Sequence, residues 1–134
     1  AKYVMMAGQP RRTIRILWAG AEEVGVFGGK AYFDAHGKET HAVALESDFG
    51  ADRVWRVDFK LPDSAKALSD RIGTLVAAGV PAIDLAQDGT RYFDLHHTPD
   101  DTLDKIDPAQ LRQNVTVWAA TLAILANSTN GELP

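Results

Sequence analysis

Residues 13–29 read TIRILWAGAEEVGVFGG, a short β-rich run that passes into a loop dense in glycine and acidic residues. The run at 13–18 holds isoleucine, leucine and tryptophan, which favour strands, so we predict a strand there. Residues 29–36 bring alanine, tyrosine and phenylalanine together and predict a short helix that ends at Gly37. A strand, a loop and a helix in this order begin an α/β pattern.

The same alternation of strand-length apolar runs and helical patterns continues along the chain. It favours a mostly parallel sheet that is covered by helices on both faces. We predict a short helix over 3–6, strands at 41–45, 54–60 and 81–85, a helix over 63–79, and a long loop over 86–107. The final helix is predicted to start at Asp107-Pro108, to run to about Asn127 before a loose tail, and to carry its apolar stripe on Leu111, Val115, Trp118, Leu122 and Leu125.

Composition narrows the class of protein. The chain has 134 residues, enough for one domain with a single core. Hydrophobic residues make up 46% and charged residues 24%, a balance typical of a folded globular protein. The net charge of -4 argues against a nucleic-acid partner, and no apolar run reaches the roughly 18 residues of a membrane span. The absence of cysteine excludes disulfides, thiolate metal sites and a cysteine nucleophile.

Three polar clusters follow the predicted strands: Glu22-Glu23, Asp48 and His96-His97. In parallel α/β sheets, ligands bind at the carboxyl ends of the strands. We therefore predict that these clusters converge there, although they lie far apart in the sequence.

The acidic residues each have two interpretations. Glu22 and Glu23 are either solvated loop acids or a metal ligand beside a general base that takes a proton from water. Asp48 is either a turn residue or a metal ligand. His36, at a helix end, and His41, at a strand start, are interpreted as structural.

The histidine pair at the start of HHTPDDT (residues 96–102) is the most unusual feature of the chain. Imidazole is a good zinc ligand, and either Asp100 or Asp101 could fix its tautomer. The same stretch also has good turn chemistry, so His96 and His97 could instead be loop residues.

Four segments carry a resemblance to a known family: WAGAEEVG at 18–25, FGG at 27–29, ESD at 46–48 and HHTPDDT at 96–102. Together they resemble the carboxyl-terminal part of the catalytic domain in co-catalytic di-zinc aminopeptidases and carboxypeptidase Q-like metallopeptidases. The last helix is similar to theirs as well. The resemblance covers nearly the whole chain, so residues 1–134 are expected to be the carboxyl-terminal portion of a single zinc-peptidase catalytic domain.

The resemblance implies a three-layer α/β/α sandwich with a mostly parallel sheet, incomplete in this chain, and a site for two zinc ions. It implies that Glu22 is the general base, that Glu23, Asp48 and His97 are metal ligands, and that Asp101 supports a ligand from the second shell. The implied reaction is hydrolysis of a peptide with a free amino terminus, or of a dipeptide. Secretion or a periplasmic location is likewise implied by the resemblance alone.

Two features depart from the family pattern. The family has a further His ligand and a bridging Asp before the paired-glutamate loop, and residues 1–21 contain neither residue type. The stretch between Asp48 and Gly79 is also shorter than in the family. We therefore expect a partner segment or a second copy to supply the remaining ligands. The alternative is a non-catalytic interaction or scaffold domain derived from the same fold.

Overall fold

The computed structural model of the chain describes residues 1–47, 49–58, 63–68 and 84–133. Residues 66–68 are helical, and single 3-10 turns lie at Asp63–Ala65 and Leu103–Lys105. The helices are α1 (Lys2–Met6), α2 (Phe27–His36), α3 (Tyr92–Leu95) and α4 (Pro108–Ala126), and the strands are β1 (Val54–Asp58) and β2 (Asp84–Gln87).

Several predicted elements are present. The helices expected over 3–6 and 29–36 are confirmed as α1 and α2, the latter beginning earlier, at Phe27. The loop expected over 86–107 is wrong in part, because α3 and a 3-10 turn form within it. Tyr92 at the start of α3 stacks on Phe49 at a ring-centroid separation of 4.1 Å. Residues 59–60, 69–79 and 81–83 of the other predicted elements lie outside the described residues.

The sheet of the described residues is one antiparallel pair, β1 with β2. Val54 lies opposite Gln87 and Arg56 opposite Ala86, with an irregularity between these two pairs. The predicted edge strand is therefore confirmed over Val54–Asp58, but the expected parallel pairing is not what these strands adopt. Within β1 a buried Val54 is followed by an exposed Trp55, the alternation typical of an antiparallel strand with one face on the core. The chain thus combines helices with a sheet, as an α/β chain does.

Two predicted strands are wrong. Residues 13–18 join no sheet among the described residues, and Trp18 there is 91% exposed. Strand preference largely reflects packing against a neighbouring strand, and no such neighbour lies beside this run in the described part of the chain. Residues 41–45 are not a strand either, although Ala42, Val43 and Leu45 pack against the hydrophobic core.

Helix α4 begins as predicted. The Asp107 carboxylate accepts hydrogen bonds from the backbone N–H groups of Ala109 (2.7 Å) and Gln110 (3.1 Å), and Pro108 occupies the first helical turn. The predicted stripe on α4 is displaced, however, because Leu111 and Val115 are exposed. Leu125 is the member of the predicted stripe that is fully buried, and the other buried residues of α4 are Asn114, Val117, Thr121 and Ala126.

Amide side chains explain why α4 presents this face to β1. Gln113 both accepts from the Val54 N–H (3.1 Å) and donates to the Val54 carbonyl (3.1 Å). Asn114 donates to the Asp52 carbonyl at 3.2 Å, and the Gln110 amide oxygen accepts from the Arg53 N–H at 2.8 Å. Val54 is buried, and a buried backbone polar group must find a partner, so the two Gln113 bonds favour the amide face over the purely apolar stripe.

The core lies between α4, β1 and the chain end. Its buried members are Val54, Ala65, Leu68, Val117, Leu125 and Leu133. The tail expected to be loose is held by Arg12, whose guanidinium donates to the carbonyls of Thr129 and Leu133, both at 3.0 Å. Ser128, also bonded to Arg12, is buried.

A polar network joins the segment before the paired glutamates to α2. Arg15 donates to the Tyr32 hydroxyl at 2.9 Å and pairs with Glu39 at 2.8 Å. The Tyr32 hydroxyl also contacts His41 Nε2 at 2.7 Å, and His36 Nδ1 lies 2.6 Å from Glu39. Hydrogen bonds from His36 and then Arg15 lower the pKa of Glu39. This arrangement supports the structural interpretation of both histidines.

Among the described residues, no helix is both long enough and apolar enough to span a membrane.

Candidate metal centre

The paired glutamates sit in a loop that folds back on itself before α2. The Glu22 carbonyl accepts from the N–H groups of Gly25 (3.1 Å) and Val26 (2.9 Å). The Gly28 N–H then donates to the Gly20 carbonyl at 2.9 Å. A Cβ on Gly28 would lie 2.5 Å from the Gly20 nitrogen, so only glycine permits this closure. The sequence thereby fixes the loop while leaving the Glu22 and Glu23 side chains exposed.

The histidine pair lies at a sharp bend that follows α3. The His96 N–H donates to the Tyr92 carbonyl at 2.8 Å, and His97 adopts a left-handed φ of 59°. The Thr98 hydroxyl donates to the Leu95 carbonyl at 2.6 Å and accepts from the Asp100 N–H at 3.2 Å. Left-handed backbone is unfavourable for a non-glycine residue and recurs at functional sites. The threonine bonds stabilise the bend and so set the direction of the His97 side chain.

These two loops meet. His97 Nε2 lies 3.3 Å from Glu23 Oε1. One potential ligand atom each from Glu23, His96 and His97 falls within 4.8 Å of the others. Two imidazoles and a carboxylate form the nitrogen and oxygen donor set that zinc binds in proteins. The chemistry of these residues therefore fits a zinc ion, and the structure brings together Glu23 and His97, two of the three predicted ligands.

The remaining predicted site residues are Asp48, Glu22 and Asp101. Asp48 lies outside the described residues. Glu22 neighbours Glu23 in the chain and its side chain is exposed. The Asp101 N–H donates to the Thr98 carbonyl at 3.1 Å, while among the described residues its carboxylate forms no hydrogen bond or ion pair with His97.

The two histidines lie at the end of a stack of aromatic rings, which sequence reasoning missed. Consecutive ring centroids are separated by 4.1 Å from Phe49 to Tyr92, 4.5 Å from Tyr92 to His96, and 3.7 Å from His96 to His97. The signal was the spacing of Tyr92 and His96, four residues apart, which places both rings on one face of a helical turn. Stacked rings restrict His97 to few orientations.

A carboxylate stabilises the chain after the histidine loop. The Thr102 hydroxyl donates to Asp104 at 2.6 Å, and this hydrogen bond is the main reason that the pKa of Asp104 is lowered. The 3-10 turn at Leu103–Lys105 begins at this contact.

Comparison with known proteins identifies the family to which the chain belongs. Residues 1–73 match the model of peptidase family M28. The chain is 27% identical to carboxypeptidase Q of Rattus norvegicus and of Homo sapiens over 142 residues, and 28% identical to that of Xenopus laevis over 143 residues. These alignments cover 89% of this chain but only 30% of each relative's length. No solved structure gives a significant match. Because the family model matches more than half of its residues, the chain belongs to peptidase family M28.

Proposed function

We propose that the protein is part of a zinc-dependent exopeptidase, of aminopeptidase or dipeptidase type, that hydrolyses peptide bonds. The observation that carries this proposal is the 3.3 Å approach of His97 Nε2 to Glu23 Oε1, made by two loops that are distant in the sequence. Membership of a peptidase family and similarity to proteins named carboxypeptidase Q support it.

Glu23 and His97 would hold a zinc ion, with Asp48 as a further ligand. A bound zinc ion would polarise the scissile carbonyl and make water more acidic. The complete centre holds two ions, and each needs about four donors. The remaining ligands would come from a partner segment or a second copy, within a three-layer α/β/α sandwich that this chain completes.

Glu22 is the proposed general base. Its exposed carboxylate adjoins Glu23, so it is free to accept a proton from the attacking water and to pass that proton to the departing amine. Asp101, in the turn closed by the Thr98 carbonyl, is proposed to support the histidine loop. The substrate is a short peptide with a free amino terminus, and the protein is proposed to act in a secreted or periplasmic location.

The test is a peptidase assay on the zinc-loaded protein with its complementing segment, using the peptide and its amino-acetylated form. We expect cleavage of the free peptide and little cleavage of the acetylated one. Glu22→Gln should retain zinc and lose nearly all turnover, because only proton transfer is removed. Unchanged turnover in Glu22→Gln would contradict the assignment, and equal cleavage of both peptides would contradict aminopeptidase specificity.

A non-catalytic interaction domain is the second candidate function. Large apolar side chains stay exposed in the described part of the chain, among them Trp18, Phe93 and Leu103. Exposed apolar patches often mark protein interaction sites. Zinc binding without any hydrolysis by the complemented protein would favour this candidate.

A further inference from the structure

An open cleft of about 800 Å³ lies beside the strand pair, and one of its walls is Phe49, the ring that stacks on Tyr92. It is framed by β1, by the residues that follow β2, and by one aromatic ring from the loop before β1. The residues lining it are Phe49, Arg53, Trp55, Arg56, Ala86, Gln87, Asp88, Gly89 and Thr90.

The two aromatic walls of the cleft are held in place. The Trp55 indole N–H donates to the Gln87 carbonyl across the strand pair at 3.2 Å, while 60% of the residue stays exposed. Phe49 lies against Gly89 so closely that a Cβ on this glycine would be 2.5 Å from the ring. The cleft therefore offers two fixed apolar surfaces rather than mobile side chains.

Two arginines and one aspartate bring charge to the cleft, and the Arg53 guanidinium is the cation available to a ligand. Arg56 pairs with Asp58 at 2.9 Å and lies over the Trp55 ring. Asp88 accepts from the Thr90 N–H at 3.0 Å, and hydrogen bonds from Thr90 lower the pKa of Asp88. The Arg53 guanidinium has no hydrogen bond or ion pair with any described residue. Its backbone is anchored instead, by Gln110 on one side and by the Asp88 N–H on the other.

A buried donor in the cleft lacks a partner. Gln87 is only 4% exposed, and its amide nitrogen Nε2 has no hydrogen-bond acceptor in the described part of the chain. Leaving such a group unpaired costs about 1–3 kcal/mol, so buried donors normally have acceptors. This nitrogen is closed off from the surface, so a ligand in the open cleft would not reach it.

We propose that this cleft binds the free carboxylate and apolar side chain at the carboxyl end of a short peptide. Arg53 is the carboxylate partner, because a guanidinium binds a carboxylate through two parallel hydrogen bonds. Phe49 and Trp55 enclose the apolar side chain. This proposal rests on the proposed peptidase function, for which it names a second recognition element.

The stack of rings joins the cleft to the metal centre. Its three centroid separations of 4.1, 4.5 and 3.7 Å place Phe49 no more than about 12 Å from His97. An extended peptide covers about 3.3–3.6 Å per residue, so three to four residues span that distance. A tri- or tetrapeptide can therefore reach both places at once.

The experiment measures binding to the metal-free chain, so that the metal centre cannot contribute. The probes are N-acetylphenylalanine and its carboxyl amide, which differ only in the charged terminus. Binding is followed by the indole N–H resonance of Trp55, assigned with Trp55→Phe. We expect the acid to bind about tenfold more tightly than the amide, as one charge-assisted hydrogen-bonded pair provides. In Arg53→Gln this preference should disappear, whereas Arg112→Gln, an exposed arginine outside the cleft, should retain it.

Equal binding of acid and amide, or a preference that survives in Arg53→Gln, would overturn the proposal. The Arg53 side chain makes no described contact, so the variant should fold, which circular dichroism checks. Should it unfold, the comparison of acid with amide on the unaltered chain decides alone. Because zinc is absent throughout, a negative result leaves the metal centre intact, and failure of zinc binding elsewhere leaves the cleft intact.

Discussion

The face between α4 and β1 and the loops that hold Glu23 and His97 use polar side chains in opposite ways. On α4, Gln113 and Asn114 satisfy buried backbone groups around β1, and their bonding capacity is used within the fold. In the loops the backbone is satisfied by turns, and the side chains of Glu23 and His97 stay exposed. The first region contributes stability, and the second leaves the Glu23 and His97 side chains open to the metal ion that we propose they bind.

This comparison makes opposite predictions for the two regions. Substitutions between α4 and β1 should lower the free energy of unfolding and leave zinc affinity unchanged in the protein that remains folded. Substitutions in the loops should do the reverse.

The largest effect is expected from Leu125→Ala in the core. Leu125 is buried, and removing a buried leucine side chain lowers the free energy of unfolding by about 2–5 kcal/mol. Denaturant unfolding measures this loss, with the exposed Leu103→Ala as the matched control. A loss for Leu125→Ala no larger than that for Leu103→Ala would break the assignment of the core.

The next effect is expected from Asn114→Ala, which leaves the Asp52 carbonyl without its partner. Because Asp52 is only half-buried, the free energy of unfolding should fall by about 0.5–1.5 kcal/mol, the usual net contribution of one hydrogen bond. Arg112→Ala, on the exposed face of the same helix, serves as the control. If both variants lose the same free energy of unfolding, the amide bonds do not select the face of α4 that meets β1.

A smaller effect separates two roles of His96. If His96 acts by stacking between Tyr92 and His97, His96→Phe keeps the ring and should change zinc affinity by no more than about threefold. His96→Ala removes the ring and should weaken zinc binding by about tenfold, within the range for groups that support a ligand. A loss of zinc binding in His96→Phe as large as in His97→Ala would show that His96 is itself a ligand.

The smallest effect is expected at the exposed cap of α4 and depends on pH. N–H donors of Gln110 and then Ala109 lower the pKa of Asp107 below its ordinary value. A lowered folded-state pKa means that this stabilisation is present above the unfolded pKa and is lost as the pH falls through the folded pKa. Asp107→Ala should therefore destabilise the protein at neutral pH and less so in strong acid. Unfolding curves at both pH values check this, with Asp34→Ala on α2 as control, and a difference independent of pH would contradict it.

Local signals explain which parts of the structure were predictable from sequence. Asp107-Pro108 predicted the start of α4 because its capping chemistry is contained in adjacent residues. The run at 13–18 was predicted as a strand and is not one, since pairing depends on a neighbour that a local pattern does not specify. The buried stripe of α4 was displaced for a related reason, because the amide bonds to β1 involve residues distant in the sequence.

The candidate site was likewise predictable only in part. The meeting of Glu23 with His97 was expected from the family resemblance. The separate expectation, that polar clusters converge at the ends of parallel strands, does not explain it, because residues 13–18 form no strand. The stack through Phe49 and Tyr92 was not foreseen, because it joins two loops through side-chain orientation alone. The left-handed backbone of His97 likewise has no signature in the residues around it.

Zinc affinity in two adjacent variants tests the central claim, that loops distant in the sequence meet to form a metal centre at Glu23 and His97. Glu22→Gln and Glu23→Gln change neighbouring residues identically, and titration calorimetry with zinc alone compares them. We predict that Glu23→Gln weakens zinc binding by at least about tenfold, while Glu22→Gln leaves it unchanged. Equal affinity in both variants, or loss of zinc in Glu22→Gln alone, would contradict the account.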